Sequence, residues 1–356
     1  MRIGIDAREL AGHPTGVGRY LGGLLREWST GSAADSHEFV LYAHQPLTAV
    51  APSRRIRHRL IAGAPGTWWE QRHLPPVAGE DHLDVFFAPA YTAPLRLAVP
   101  TVVTIHDLSY VVHPEWFLVR EGMRRRWLTK RSAARARAVI TVSQFSKREI
   151  VEHLGTSADR VHVIPQGIDR PAGASRRDAT PRVLFVGSIF NRRHVPDLVR
   201  AIARLARTHP DVSLDIVGDN RTFPHENLED QIAGGGEGRV RWHRYASNEQ
   251  LLELYSRAHA FAFLSEYEGL GTTPLEALAA AVPPVVADTE VARETYGDAA
   301  LYVPVGDIGR TAEALELVLF DEATRARIGA AAPATLAKFD WTRAARETLA
   351  VLVASG

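Results

Sequence analysis

Two hydrophobic rhythms alternate along the chain. Short runs rich in Val, Ile and Phe at residues 2–6, 38–42, 84–87, 101–105, 139–142 and 161–164 are too short for helices and predict strands. Between them, stretches 17–28, 115–137 and 145–153 carry apolar residues at helical spacing. The second half repeats the pattern, with strands expected at 182–186, 213–217, 239–242, 260–264, 285–287 and 300–303. Helices are expected there at 196–208, 248–258, 275–280 and 312–319. Strand and helix in alternation predict parallel sheets covered by helices on both faces. The expected fold class is therefore α/β, with two Rossmann-like, doubly wound domains.

Residues 167–182 hold two prolines, two glycines and four arginines without an apolar period, and read as an interdomain linker. The expected layout is a first domain over 1–170, a linker over 171–181 and a second domain over 182–338. Residues 339–356 predict a terminal helix with no strand to pair beside, expected to pack back on the first domain.

Composition narrows the function classes. Apolar residues make up 46% of the 356 and charged residues 23%, which is globular and not disordered. With no cysteine, disulfide frameworks, thiolate zinc sites and cysteine nucleophiles are excluded. The N-terminus has no secretory apolar run and no stretch reaches 18 apolar residues, so a cytoplasmic protein without a membrane span is expected. Net charge is +1 but unevenly placed: residues 1–178 hold 24 Lys/Arg against 17 Asp/Glu, and residues 179–356 hold 18 against 24. Either the two halves face different partners or the imbalance is accidental.

A strand followed by a glycine-containing turn first suggests dinucleotide binding. The fingerprint Gly-x-Gly-x-x-Gly fails here, because Leu21 stands at the third glycine after Gly16 and Gly18, and no Gly-Lys-Ser/Thr occurs. The stretch Ser265-Glu266-Tyr267-Glu268-Gly269-Leu270-Gly271-Thr272-Thr273-Pro274-Leu275-Glu276 is more informative. A strand ends, a glycine loop follows and a helix starts near Pro274, which is where α/β proteins bind ligands. Amides of Gly269, Leu270 and Gly271 and of the helix start suit a diphosphate. Taken alone, Thr273 to Glu276 is a capping box with proline at the first helical position, in which Glu276 serves only its own helix.

The whole pattern resembles the retaining glycosyltransferases of family 4. Their mark is two glutamates separated by seven residues, and Glu268 and Glu276 fit it with Gly269, Gly271, Leu275 and Ala277 in place. Similar segments run in order along the chain: Thr15 to Tyr20, Thr104 to Leu108 with the His106-Asp107 pair, Val142 to Lys147, Ile164 to Asp169, and Phe185 to Arg193. The resemblance implies the GT-B fold, two Rossmann-like domains facing a cleft with the donor mainly on the second. It implies Arg192 and Arg193 at the donor diphosphate beside Gly187, Glu276 at the ribose, Glu268 at the donor sugar, and His106 at the sugar or its transition state. Gly16 and Gly18 would reach the diphosphate from the other domain. Arg193 stands where similar members carry lysine; the charge is kept and a fork is added. Ala281 stands at a usual glycine, and Pro283-Pro284 inserts an extra proline.

Transfer leaves a diphosphate that gathers negative charge, so preorganised cations and amides should carry catalysis. No Asp-x-Asp motif is present, so side-chain cations are expected to replace a metal; no cofactor is expected, the GDP- or UDP-linked sugar being a substrate. Mannose from GDP-mannose is the implied donor, in surface-polysaccharide assembly. The acceptor is expected to be a saccharide or a lipid-linked one, with no nucleic-acid partner. Residues 120–137 are dense in Lys and Arg with Glu121 their one acid, and carry Met123, Trp127 and Leu128. Such a helix suits contact with an anionic membrane from its inner face, or is a solvated basic face. Trp68-Trp69 reads as a sugar-stacking platform or a core pair. The rival functions are a nucleotide-sugar 2-epimerase of related fold and a non-catalytic sugar-nucleotide-binding partner.

Overall fold

Seven parallel strands carry the first sheet: β1 (Arg2–Asp6), β2 (Glu38–Ala43), β3 (Ile56–Leu60), β4 (Val85–Ala88), β5 (Thr101–Thr104), β6 (Ala138–Thr141) and β7 (Val161–Val163). Their order is β3-β2-β1-β4-β5-β6-β7. Helices α1 (Gly16–Thr30), α2 (Leu74–Glu80), α3 (Ser109–Val112), α4 (Val119–Arg135) and α5 (Gln144–Leu154) connect them. Side-chain alternation splits the core in two. Phe39 and Leu41 of β2 and Val85 and Phe87 of β4 join one apolar cluster with α1. Val40, Tyr42, Phe86 and Ala88, one residue out of step, join the other with Trp69 and Leu74. Burial on both faces is why these strands read as unbroken apolar runs.

The second sheet has six parallel strands: β8 (Arg182–Val186), β9 (Ser213–Val217), β10 (Val240–His243), β11 (Ala260–Phe263), β12 (Pro284–Ala287) and β13 (Leu301–Val303), ordered β10-β9-β8-β11-β12-β13. Its helices are α6 (Val195–Leu205), α7 (Leu228–Gly235), α8 (Asn248–Arg257), α9 (Thr272–Ala279), α10 (Glu290–Tyr296), α11 (Ile308–Phe320) and α12 (Glu322–Leu336). The extra proline, Pro284, is the first residue of β12, a place where a strand tolerates it.

This computed structural model describes residues 1–12, 16–31, 34–48, 50, 53–169, 177, 179–235 and 238–356. They form two units, Met1–Gly167 with Phe339–Gly356, and Ile168–Lys338. Most of the expected linker lies outside the described residues. Helix α13 (Trp341–Ser355) belongs to the first unit and lies against α1. Trp28 Nε1 donates to the Ala345 carbonyl at 3.0 Å, and a Cβ on Gly23 would come within 2.5 Å of the Trp341 ring.

Two local expectations are corrected, and one strand is added that no apolar run announced. β3 has no apolar run, since only Ile56 of Ile-Arg-His-Arg-Leu is buried; it is an edge strand held by its ladder to β2. The helix expected over 115–137 is broken: Pro114–Trp116 makes one tight turn, Phe117 is extended, and α4 begins at Val119. The break lets the Phe117 ring pack edge-on against Tyr110 at 6.3 Å. The capping box at Thr273 does not form either. Helix α9 starts at Thr272 with Gly271 as its cap, the Thr273 hydroxyl has no partner among the described residues, and Glu276 accepts from elsewhere.

Candidate functional site

In the second unit the strand order reverses between β8 and β11, which opens a crevice at their carboxyl ends. Two loops leave there. The one after β8 passes Gly187 at φ +146°, where a Cβ would meet an Arg193 Nη1 at 2.5 Å. It then makes one tight turn, Asn191–Arg193, and enters α6 through His194 at φ +49°. The loop after β11 runs to Gly271 at φ +78° and opens α9. Glycine at 271 has a steric cause as well, because a Cβ would collide with the Tyr296 hydroxyl.

Arg193 ties the loops together. Its Nε and Nη2 both lie 2.8 Å from Glu268 Oε1, and its Nη1 donates to the Ser188 carbonyl at 2.9 Å. Ser265 Oγ donates to the same glutamate oxygen at 2.9 Å. The Arg193 guanidinium also stacks over the Phe263 ring at 5.0 Å, so its orientation is fixed from three directions. Arg192 and its neighbours add a reciprocal pair: Arg192 Nε donates to the Tyr267 carbonyl at 3.2 Å, and Glu266 N donates to the Arg192 carbonyl at 2.9 Å. The Arg192 guanidinium lies 4.4 Å over Phe190.

The α9 loop is fixed from below by α10. Thr295 Oγ1 donates to the Leu270 carbonyl at 3.1 Å and Tyr296 OH to the Gly271 carbonyl at 2.7 Å. Gly269 and Leu270 are buried beside them. Burial and the nearby Glu268 charge push the Tyr296 hydroxyl's pKa well up, so it stays a donor. No side chain caps α9, which leaves its first amides as donors for an anion. Glu276, on the second turn of α9, accepts from Tyr255 OH at 3.1 Å. Among the described residues no group of three His, Asp or Glu is placed to hold a metal ion.

The first unit places His106 at the carboxyl end of β5. Its Nε2 lies 2.9 Å from the Pro89 carbonyl, and burial lowers the imidazole pKa. A carbonyl only accepts, so Nε2 carries the hydrogen of the neutral ring and Nδ1 is left as an acceptor. Tyr20 and Tyr91 hold the ring edge-on at 4.9 and 5.5 Å, Tyr91 at the uncommon φ of +65°. Asp107 accepts from Ser109 N at 2.9 Å and Ser109 Oγ at 2.7 Å, at the turn that leads into α3. Gly16 opens α1 with free space where a Cβ would stand, and Gly18 is buried two residues on. Thr15 lies outside the described residues. The tryptophan pair divides: Trp69 is core, while Trp68 is 69% exposed.

Of the residues expected from sequence, Gly187, Arg192, Arg193, Glu268, Gly269, Leu270, Gly271 and Glu276 gather in the second unit, and His106, Gly16 and Gly18 in the first. Sequence reasoning missed Ser265, Thr295, Tyr296 and Tyr255. Ser265 stood in the informative stretch; the other three carry no local signal, since each reaches the site from another helix.

Two family models divide the chain. Residues 14–171 match Glycosyltransferase Family 4, and residues 171–335 match Glycosyl transferases group 1. A Mycobacterium tuberculosis glycogen synthase is 32% identical over 271 residues, covering 72% of this chain and 64% of that protein. The Escherichia coli O-antigen chain mannosyltransferase B is 26% identical over 294 residues, covering 74% and 73%. The solved sucrose-phosphate synthase of Thermosynechococcus elongatus superposes with a TM-score of 0.79 at 19% identity, over 100% of both chains.

Proposed function

The chain belongs to the family 4, group 1 type glycosyltransferases of GT-B fold, and on that premise we propose that it is a metal-independent, retaining hexosyltransferase. The observation that carries this reading is the Arg193–Glu268 pair, set beside the uncapped start of α9 at the switch point of the second sheet. A nucleoside diphosphate would lie along the α9 amides, with Arg192 and Arg193 neutralising the charge that gathers as the glycosidic bond breaks. Glu276 would take the ribose hydroxyls. Glu268 Oε2 would take a hydroxyl of the sugar while Oε1 stays with Arg193 and Ser265. His106, held neutral, would offer Nδ1 to a substrate hydroxyl.

The reaction breaks the bond between the anomeric carbon and the diphosphate and forms one to the acceptor oxygen on the same face. The acceptor's proton passes to the departing phosphate oxygen, so no protein base is required. The donor we propose is GDP-mannose, a reading supported by the mannosyltransferase among the relatives, with UDP-hexose as the other arm of the test. The acceptor is a saccharide or a lipid-linked one in surface-glycan synthesis, and the enzyme works in the cytoplasm at the inner face of a membrane. Among the described residues no helix is long and apolar enough to cross one.

Calorimetry with GDP, UDP and ADP, without metal, on the wild type and Arg193→Ala tests the reading. One preferred nucleotide whose affinity falls tenfold or more in the variant supports the site and names the base. Binding of none of the three would end the proposal. Free sugar released from the matching donor without any acceptor would point instead to the 2-epimerase reading, and nucleotide binding without turnover to the non-catalytic partner.

A further inference from the structure

Helix α4 packs through Gly122, Leu128, Thr129, Ser132 and Ala133. At about 100° per residue, Val119, Met123 and Trp127 fall in line on the opposite side. They are 73%, 54% and 55% exposed, and Leu118, just before the helix, is 58% exposed. Exposed cations flank this stripe: Arg120, Arg124, Lys130 and Arg131, with the Arg131 guanidinium 5.7 Å over the Trp127 ring. The helix's single acid, Glu121, points away from the stripe and pairs with Arg125 at 2.7 Å. A line of large apolar side chains in water, bordered by cations and free of acids, has the chemistry of a bilayer interface.

From this face we infer that α4 docks the first unit on the surface of an anionic phospholipid bilayer. Val119, Met123 and Leu118 enter the acyl boundary, the Trp127 indole sits at headgroup depth, and the flanking guanidinium and ammonium groups bind lipid phosphates. The inference rests on the membrane-side reading above and deepens it by naming the surface. Charge complementarity selects the occupant: residues 1–167 of the first unit carry 21 Lys/Arg against 15 Asp/Glu, and the exposed side of α4 concentrates the excess.

The docking helix is also built onto the wall that holds His106. Thr129 Oγ1, on its buried side, accepts from Tyr110 OH at 2.9 Å, and Arg126 Nη1 donates to the Tyr110 carbonyl at 3.3 Å. The Tyr110 ring lies 5.9 Å from Tyr91, whose ring lies 5.5 Å from His106. A lipid-borne acceptor would then arrive on a surface joined to His106 through Tyr110 and Tyr91.

Flotation of the full chain with vesicles tests this, comparing phosphatidylglycerol-rich with pure phosphatidylcholine membranes. Wild type should float with the anionic vesicles, less so as salt rises, and stay behind with the neutral ones. Met123→Ser/Trp127→Ser and Arg120→Glu/Arg124→Glu should each weaken the binding tenfold or more. Arg207→Glu, an exposed charge change in the second unit, should leave it unchanged, and all variants should bind nucleotide as wild type does. Vesicle binding that survives both double variants would overturn the assignment. So would a dimer in sedimentation that the same variants dissolve, which would make the face a contact between two copies. Nucleotide binding without vesicle binding sinks the docking face and spares the transferase reading; vesicle binding without nucleotide binding does the reverse.

Discussion

Arg193 and Glu268 stand 75 positions apart in sequence and 2.8 Å apart in space, and their contact joins the loops that leave the two strands at the reversal of the second sheet. The arginine fork serves two places at once, Glu268 Oε1 and the Ser188 carbonyl. A lysine, which similar members carry here, has one ammonium and would serve both only by compromise. Arginine at 193 thus ties the two loops at once while keeping the positive charge at the crevice.

That tie should appear as energetic coupling. Arg193→Ala and Glu268→Gln should each weaken nucleotide binding, the arginine variant tenfold or more. The double variant should lose less than the sum, by about 1–3 kcal/mol in a double-mutant cycle, since the residues share one interaction. Calorimetric additivity within about 0.5 kcal/mol would show the pair to be independent.

Gly271→Ala should damage the same loop from the other side. The position sits at φ +78°, and the new methyl group would strike the Tyr296 hydroxyl. A loss of about 2–3 kcal/mol is expected, since left-handed strain and collision add. Tyr296→Phe in the same chain should recover part of it by removing the oxygen. A thermal midpoint equal to wild type in the single variant would contradict this geometry.

His106 should make the first unit acid-sensitive. Burial holds its folded pKa below the ordinary 6.5, so the folded ring refuses a proton that the unfolded ring accepts. Its contribution is full above pH about 6.5 and is lost as pH falls through the depressed folded value. Urea midpoints should therefore drop between pH about 7.5 and about 5.5, and His106→Gln should flatten that drop. Some slope will remain, because burial also depresses His37, His58 and His162. An unchanged slope in the variant would rule His106 out as its source.

Ala281→Gly should stabilise the protein. Ala281 follows the end of α9 at φ +59°, and the bonds Ala281 N to Leu278 O and Val282 N to Ala277 O close the turn that usually ends on glycine. Left-handed alanine costs about 1–2 kcal/mol, and the extra unfolded freedom of glycine returns about 0.4–1. The balance predicts a midpoint higher by roughly 1–3 °C. A lower midpoint in calorimetry would show that the turn carries no such strain.

The fold was legible where periodicity is local. Strands Arg2–Asp6, Arg182–Val186 and Ser213–Val217 match the apolar runs residue for residue, because burial on both sheet faces demands such runs. β3 was illegible because an edge strand needs only a neighbour's ladder, which Ile-Arg-His-Arg-Leu obtains from β2. Around Thr273 the local signal misled: the capping box was present in sequence, but Tyr255 drew Glu276 away and the positive φ of Gly271 set the helix start.

Sequence alone determined the α/β class, the two halves and the glycines, arginines and glutamates of the crevice, since each is written in neighbours a few positions apart. Only tertiary structure decided which of them meet. The order of strands brings Arg193 to Glu268, the Pro89 carbonyl chooses the nitrogen that His106 leaves as acceptor, and α10 supplies the hydroxyls that set the α9 loop. It also decided that α13 returns to α1, where Trp341 fits because Gly23 has no side chain. Those contacts join residues tens to hundreds of positions apart, and periodicity within a short window carries no information about such distances.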